Sequence, residues 1–358
     1  MAKRVAAKSA KKLRVALIGA GGIAGAHMRY YAKMEDVELV ALADVSKESM
    51  ARRAEEFKVA DCFTDYHKML EKIRPDAVSI CTPNGLHAPA AIAALDAGAH
   101  AIVEKPMAMN AREAQTMISV AKRRRRKLVI GFQHRFDPRT QFIKNAVEGG
   151  QLGKVVYARV QALRRRGIPN WGVFGRKDLQ GGGPLIDIGV HVLETTHYAM
   201  GSPKPVAASG GTFTYLGDRK SSVVSQWPNW DYKTYTVEDL AVGQIRFENG
   251  AVLHLEASFA AHIEKDIWTF QIMGEKGGAT WDPPALFCDD LGHMVNISPG
   301  WLPRDSAADC FAIKMRNFVD HVLYDKPTGA PAEHGLMVQK MLDGIYESAE
   351  KGREIRIR

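Results

Sequence analysis

LRVALIGAGGIA, residues Leu13–Ala24, is the stretch on which the fold turns. Its apolar run is strand-length and stops at Gly19. A glycine-rich turn and a helical pattern over Ile23–Lys33 come next, so Leu13–Gly19 reads as a buried strand feeding a helix. Working outward, the alternation continues. Val37–Asp44 is strand-like, Lys47–Phe57 and Asp65–Lys72 helical, and Ala77–Thr82 strand-like. Ala88–Ala97 is helical, His100–Glu104 a strand, Ala111–Arg124 a helix and Leu128–Phe132 a strand. Short strands that are apolar on both faces and alternate with helices predict a parallel sheet covered on both sides, a doubly wound α/β domain over residues 13–134.

Beyond about residue 135 the rhythm changes. A helix over Arg139–Glu148 precedes a strand over Val155–Leu163, a glycine-rich loop and a helix over Pro184–Met200. Longer strands come after it at Val206–Tyr215, Glu238–Phe247, Ala251–Phe259 and Ile267–Met273. Asn249-Gly250 between two alternating runs is a hairpin signal, and Met273–Gly278 reads as another turn. Residues 135–358 thus read as an α+β domain with a large, mostly antiparallel sheet and helices on one side. With no repeat and no low-complexity linker, the two domains are expected to share an interface. Residues 1–12 read as a disordered basic tail.

Of the 358 residues, 46% are hydrophobic and 25% charged, enough for a sizeable core. No apolar run approaches the roughly 20 residues that span a bilayer, and the N-terminus lacks the apolar stretch of a secretory signal. Cys62, Cys81, Cys288 and Cys310 lie far apart without metal-ligand spacing, which speaks for a reducing cytoplasm and against structural zinc. The net charge of +9 comes in part from local runs, Lys122–Lys127 and Arg164–Arg166. No nucleic-acid-binding module accompanies them, and Lys122–Lys127 reads as a solvated helix end.

Gly19-Ala20-Gly21-Gly22-Ile23-Ala24 matches G-x-G-x-x-A between a strand and a helix, with Asp44 closing the next strand. Gly19 permits the tight turn, while Gly21 and Gly22 bring the backbone and the helix N-terminus up to a pyrophosphate. Asp44 suits the ribose hydroxyls of NAD and opposes the 2′-phosphate of NADP. Thr82-Pro83-Asn84 with His87, and Glu104-Lys105-Pro106, end strands at the edge where open α/β sheets bind ligands, so these residues join the cofactor-site candidates. In the second half, Gly181–Glu194 (GGGPLIDIGVHVLE) puts Asp187, His191 and Glu194 at i, i+4 and i+7 of one helix. That stripe suits a general base, since imidazole titrates near neutrality. It equally suits a buried ion pair between domains or a metal trio.

Taken together, these motifs resemble the glucose–fructose oxidoreductase / inositol dehydrogenase family (Gfo/Idh/MocA). The marks are Gly19–Ala24, Thr82–His87, Glu104-Lys105-Pro106, Gly131-Phe132-Gln133-His134-Arg135-Phe136, Gly181–His191 and the tail at 343–355. The resemblance runs from Leu13 over nearly the whole chain. It implies a Rossmann domain followed by an open-faced sheet domain that builds dimers or tetramers, binding NAD and a sugar, cyclitol or related polyol. On that resemblance Lys105, Asp187 and His191 form the catalytic trio. His191 takes the hydroxyl proton, Asp187 orients His191, and Lys105 holds the hydroxyl. Glu194 departs from the Asp common in relatives. Arg135, Arg165 and Trp171 are the candidate substrate contacts, and no metal is expected. Two alternatives share the fold: an NAD-retaining enzyme that cleaves glycosidic bonds through transient oxidation, and a non-catalytic NAD(H)-binding regulator.

Overall fold

The computed structural model describes residues 12–303 and 309–358, so the expected basic tail lies, but for Lys12, outside the described residues. The first third alternates strand and helix: β1 (Leu13–Ile18), α1 (Gly22–Tyr31), β2 (Val37–Ala43), α2 (Lys47–Phe57), β3 (Asp61–Phe63), α3 (Tyr66–Ile73), β4 (Ala77–Ile80), α4 (His87–Asp96), β5 (His100–Val103), α5 (Ala111–Arg124) and β6 (Leu128–Ile130). The six strands form one parallel sheet in the order β3-β2-β1-β4-β5-β6. This is a Rossmann-type doubly wound domain. β3 was not expected from the sequence: it is three residues at the sheet edge and carries no apolar run. The chain winds one way from β1 to β3 and the other way from β4 to β6. Between β1 and β4 lies the switch point, where ligands bind beyond the strand ends.

The remainder contains α6 (Pro138–Glu148), β7 (Val155–Leu163), α7 (Lys177–Gln180), α8 (Val190–Ala199), β8 (Pro205–Phe213), β9 (Leu240–Phe247), β10 (Val252–Ser258), β11 (Ile267–Gly274), β12 (Gly277–Thr280), β13 (Ala285–Asp290), β14 (His293–Ile297), α9 (Cys310–Tyr324), α10 (Ala332–Lys351) and β15 (Ile355–Arg356). Its nine strands form one sheet, β14-β13-β12-β11-β7-β10-β9-β8-β15, antiparallel except where β7 meets β10. Alternation sets the two faces. Ile245, Leu253, Leu255, Phe270 and Ile272 are buried, while Arg159, Arg246 and His254 are exposed. α8 and α10 pack on the sheet, α9 against α1, and α10 against α5, so the C-terminal helices lie on the Rossmann domain as well. Asn249-Gly250 makes the expected hairpin between β9 and β10, with Gly250 at φ +88°.

The helix read over Pro184–Met200 is not uniform. Leu185–Gly189 form a π-helical turn, and the α-helix starts only at Val190. A π turn adds a residue and rotates the helix beyond it, which changes the expected stripe.

Candidate active site

The glycine loop leaves β1 at the switch point. Gly19 has φ +102°, and a Cβ there would stand 2.4 Å from the Cys81 carbonyl oxygen, so the position excludes any side chain. At Gly21 and Gly22 a Cβ would meet nothing within 4 Å. This is the open backbone cradle, at the N-terminus of α1, that a pyrophosphate fits. Asp44 accepts the Ala20 N–H at 2.6 Å and the Ser46 N–H at 2.7 Å, so its carboxylate fixes the glycine loop against the end of β2. Arg53, from α2, lays a guanidinium nitrogen 3.4 Å from the Gly21 carbonyl. Sequence reading missed this cation over the cradle, because nothing local to α2 marks it.

The ends of β4 and β5 supply the next wall. Asn84 donates to the Gln180 carbonyl at 2.9 Å. His87 is buried with its ring nitrogens 2.7 Å from the Pro106 carbonyl and 3.0 Å from that of Thr82. It therefore braces the two strand-end turns against each other. The Thr82 hydroxyl and the Gln133 side-chain carbonyl are buried without a hydrogen-bond partner among the described residues. Such orphans beside an open cradle fit a polar ligand. These observations agree with the donor pattern of a dinucleotide.

Glu104 lines the cavity, and its carboxylate is held by two buried partners. Its Oε1 lies 2.8 Å from His27 Nε2 and 2.5 Å from Lys314 Nζ, and both partners are buried. Burial alone would push this carboxyl up, yet the Lys314 ammonium and the His27 ring bring it well below the usual range. Ser79, Tyr31 and Cys81 complete the cluster around His27. Lys314 belongs to α9, so the network ties the C-terminal helices to the floor of the Rossmann site.

One residue on, Lys105 turns the other way. Its Nζ donates to the Asp187 carbonyl at 2.7 Å and to Asp187 Oδ1 at 3.0 Å, across the domain boundary. Asp187 sits in the π turn. Buried Glu238 holds that turn's approach by accepting the Gly183 N–H at 2.9 Å and the Leu185 N–H at 3.2 Å, with Tyr346 on Oε1 at 2.8 Å. A Cβ on Gly183 would stand 2.1 Å from the Glu238 carbonyl oxygen, so the loop cannot carry a side chain there.

His191 begins the α-helix one turn later and is nearly buried. Its Nδ1 has no hydrogen-bond partner among the described residues. The ring meets His134 edge-on at 5.1 Å and Trp268 at 6.0 Å. Burial, then the Lys105 ammonium and His134, hold His191 well below the ordinary imidazole value. That lowering favours the neutral ring. His134 behind it is lowered to about 4, chiefly by burial.

Lys105, Asp187 and His191 share one cavity of about 380 Å³ with Ile23, Thr82, Pro83, Asn84, His87, Gln133 and Gln180. Gly172, Val173 and Phe174 close it from the loop before α7. The expected contact of Asp187 with His191 is absent from the hydrogen bonds of the described residues; Asp187 holds Lys105 instead. Glu194 leaves the stripe altogether. With Arg135 it forms a wholly buried pair, Nε to Oε2 at 2.7 Å. Arg135 also donates to the Gly329 carbonyl and meets His334. The expectation that Arg135 touches substrate is therefore corrected: its guanidinium is enclosed on every side.

The other two substrate candidates lie outside the cavity. Arg165 is exposed and bound to the Glu264 carbonyl, with its N–H on Asp266. Trp171 is exposed at the rim, next to the lining residue Gly172. Gln133 and Gln180 are cavity residues without a sequence signal of their own, beyond Gln133 lying in a quoted motif. The run Lys122–Lys127 is a helix end, but a paired one: Arg123 and Arg124 meet Asp96, Lys122 meets Glu333 and Lys127 meets Asp325. Among the described residues no group of His, Cys, Asp or Glu is arranged to hold a metal, and no helix is long and apolar enough to cross a membrane.

Comparison with known proteins fits this geometry. Residues 13–132 match the sequence model of an oxidoreductase family's NAD-binding Rossmann fold, and residues 144–357 match that family's C-terminal alpha/beta domain. A D-glucoside 3-dehydrogenase of Escherichia coli (strain K12) is 38% identical over 354 residues, covering 98% of this chain and 99% of the relative. A levoglucosan dehydrogenase of Pseudarthrobacter phenanthrenivorans is 30% identical over 295 residues, 76% of this chain and 74% of the relative. A solved structure of a levoglucosan dehydrogenase in complex with NADH and levoglucosan superposes with a TM-score of 0.82 at 25% identity, covering 97% of this chain and 100% of that one.

Proposed function

The chain belongs to the Gfo/Idh/MocA oxidoreductase family with its NAD-binding Rossmann domain, and from that premise we propose that it is an NAD-dependent dehydrogenase acting on a ring hydroxyl of a glucoside or a closely related sugar, with His191 as general base. One observation carries the reading. Lys105, Asp187 and a neutral His191 meet in a single cavity that is continuous with the residues flanking the glycine-loop switch point. The 38% identical relative, matched end to end, is named for oxidation of a glucoside.

When bound, NAD supplies the two-electron acceptor for the carbinol hydrogen. The chain's own residues do the rest. Lys105, held at 2.7 Å and 3.0 Å by Asp187, presents a fixed ammonium to the reacting oxygen and favours the charge that develops on it. His191 takes the hydroxyl proton on its ring as the carbinol becomes a carbonyl, and returns it in reduction. The Glu104–Lys314–His27 network anchors the turn that carries Lys105. Positioning and electrostatics account for this chemistry without a covalent intermediate.

The test is NADH absorbance with purified enzyme against methyl glucoside, glucose, levoglucosan and myo-inositol, each with NAD and with NADP. Turnover with NAD on at least one ring hydroxyl is expected. No turnover on any sugar or cyclitol by protein that binds NADH overturns the reading in favour of a regulator. Protein that retains NAD and cleaves an aryl glucoside without net NADH overturns it in favour of the glycosidic-bond alternative. A preference for NADP removes the role given to Asp44.

A further inference from the structure

The cavity that holds the chemistry is small. About 380 Å³ lies near the lower end of the roughly 300–1,000 Å³ typical of ligand sites. On the reading above, a nicotinamide ring and one pyranose would share it and take up most of its volume. A group attached to the reacting sugar through its glycosidic bond would then extend toward the mouth.

At that mouth the protein exposes aromatic surface that its core does not need. Trp171 is 50% exposed, among the more exposed large apolar side chains of the described residues. It stands perpendicular to Trp227 with ring centres 4.8 Å apart, and Phe174 meets it edge-on at 6.1 Å. Two independent routes connect this corner to the site. On one side Phe174, with Gly172 and Val173, is itself cavity wall. On the other, the Arg164 guanidinium lies 5.0 Å over the Trp227 ring and 5.7 Å over Phe259, close enough to Asp187 to feel its charge. The corner is also held in place: Asn170 donates to the Pro228 carbonyl at 2.7 Å, and Trp230 is buried with its indole N–H on the Gly217 carbonyl at 2.8 Å. Trp171 is half exposed and Trp227 partly so, with the Arg164 guanidinium over its ring; together, at a right angle beside a sugar-sized cavity, they offer apolar surface that matches the flat face of a ring.

We propose that Trp171 and Trp227 form a second subsite that stacks on the ring attached to the reacting glucoside, an aryl aglycone or a second pyranose, and so makes the enzyme prefer ring-bearing glucosides over small ones. The inference rests on the dehydrogenase reading above. It goes beyond that reading by assigning a ligand class to residues outside the catalytic cavity.

The experiment compares kcat/KM for methyl glucoside, phenyl glucoside and cellobiose in the wild-type enzyme and in Trp171→Ala, Trp171→Phe and Trp227→Ala. Turnover of methyl glucoside by the wild type reports on the parent reading separately; if no glucoside is oxidised, that reading falls and the subsite with it. The subsite predicts that Trp171→Ala lowers kcat/KM about tenfold on at least one ring-bearing substrate, the scale of one aromatic contact. Methyl glucoside should stay within about twofold, and Trp171→Phe should recover most of the loss. A loss on phenyl glucoside alone identifies an aryl aglycone, and a loss on cellobiose alone a second sugar. An unchanged ratio of substrates overturns the proposal. So does an equal fall on all three, which is the behaviour of a purely structural or subunit-contact cluster.

Discussion

Two ion pairs hang from the same helical segment, seven residues apart, and they have opposite characters. Asp187 meets Lys105, just past β5 of the first sheet, and Glu194 meets Arg135, just past β6. The Lys105–Asp187 pair keeps 16% and 15% of its side-chain surface, opens on the cavity and adjoins the unpartnered Nδ1 of His191. The Arg135–Glu194 pair keeps 0% on both sides and is surrounded by Phe132, Tyr198, Gly329 and His334. Burial has raised the Glu194 carboxyl in spite of its arginine, a sign of how thoroughly water is excluded. The pair we propose for chemistry is left partly open; the pair that ties the segment after β6 to α8 is closed.

The contrast breaks most visibly at the open end. Lys105→Met and His191→Asn should each lower kcat by about 10²-fold or more, while NADH affinity by fluorescence titration changes less than threefold. Near-normal turnover in either variant would remove these residues from the chemistry. At the closed end the expected loss is in stability: Arg135→Met strands Glu194 and should cost about 3–5 kcal/mol in urea unfolding. The double change Arg135→Met with Glu194→Leu should recover much of it. Were Arg135→Met instead to raise KM for sugar at unchanged stability, the arginine would return to the substrate site.

The same open-or-closed distinction can be sharpened within the glycine loop. Gly19→Ala forces a Cβ onto the Cys81 carbonyl at positive φ and should lose about 1–3 kcal/mol of stability together with NADH binding. Gly22→Ala enters open space in the free protein, so it should weaken NADH binding and leave the melting temperature within a degree or two. Equal melting temperatures for the two variants would show that the loop is not packed as described. The smallest effect is expected from pH. Burial holds His134 down at about 4 and His197 at about 3, below their ordinary value near 6.5. The unfolded chain therefore binds protons first as pH falls, and stability present above about 6.5 should decline progressively from there toward 4. The acid limb of kcat/KM should also begin below 6.5, because His191 is lowered in the same direction. A melting temperature that is flat from pH 7 to 4.5 would contradict the buried neutral state of these rings.

What the sequence disclosed and what it hid divide along physical lines. Gly19 was legible because a glycine between a buried strand and a helix has few other reasons to exist, and φ +102° is that reason. The hairpin at Asn249-Gly250 was legible on the same ground. Strand β3 was not, since three residues at an edge need no apolar run. Asp187, His191 and Glu194 were legible as a set, yet their shared face was not real. The π turn over Leu185–Gly189 has no sequence period of its own, and it directs Asp187 to Lys105 rather than to His191. Arg135 sat in a motif whose neighbours line the cavity, and only tertiary packing shows that its guanidinium is enclosed. Lys314 carried no signal at all: on α9 it is one lysine among many, and its meaning lies in a partner 210 residues away.

That separation has a consequence for how the protein is made. Emerging from a ribosome, the chain completes all six strands of its first sheet by Ile130, yet Glu104 and His27 at its centre must wait for a cation that is synthesised near the end of the chain. Until α9 docks, the Glu104 carboxylate and the His27 imidazole lack the cation that joins them in the complete chain. The N-terminal half is therefore completed by the C-terminal one, and truncation between the domains should lower its melting temperature below that of the whole chain.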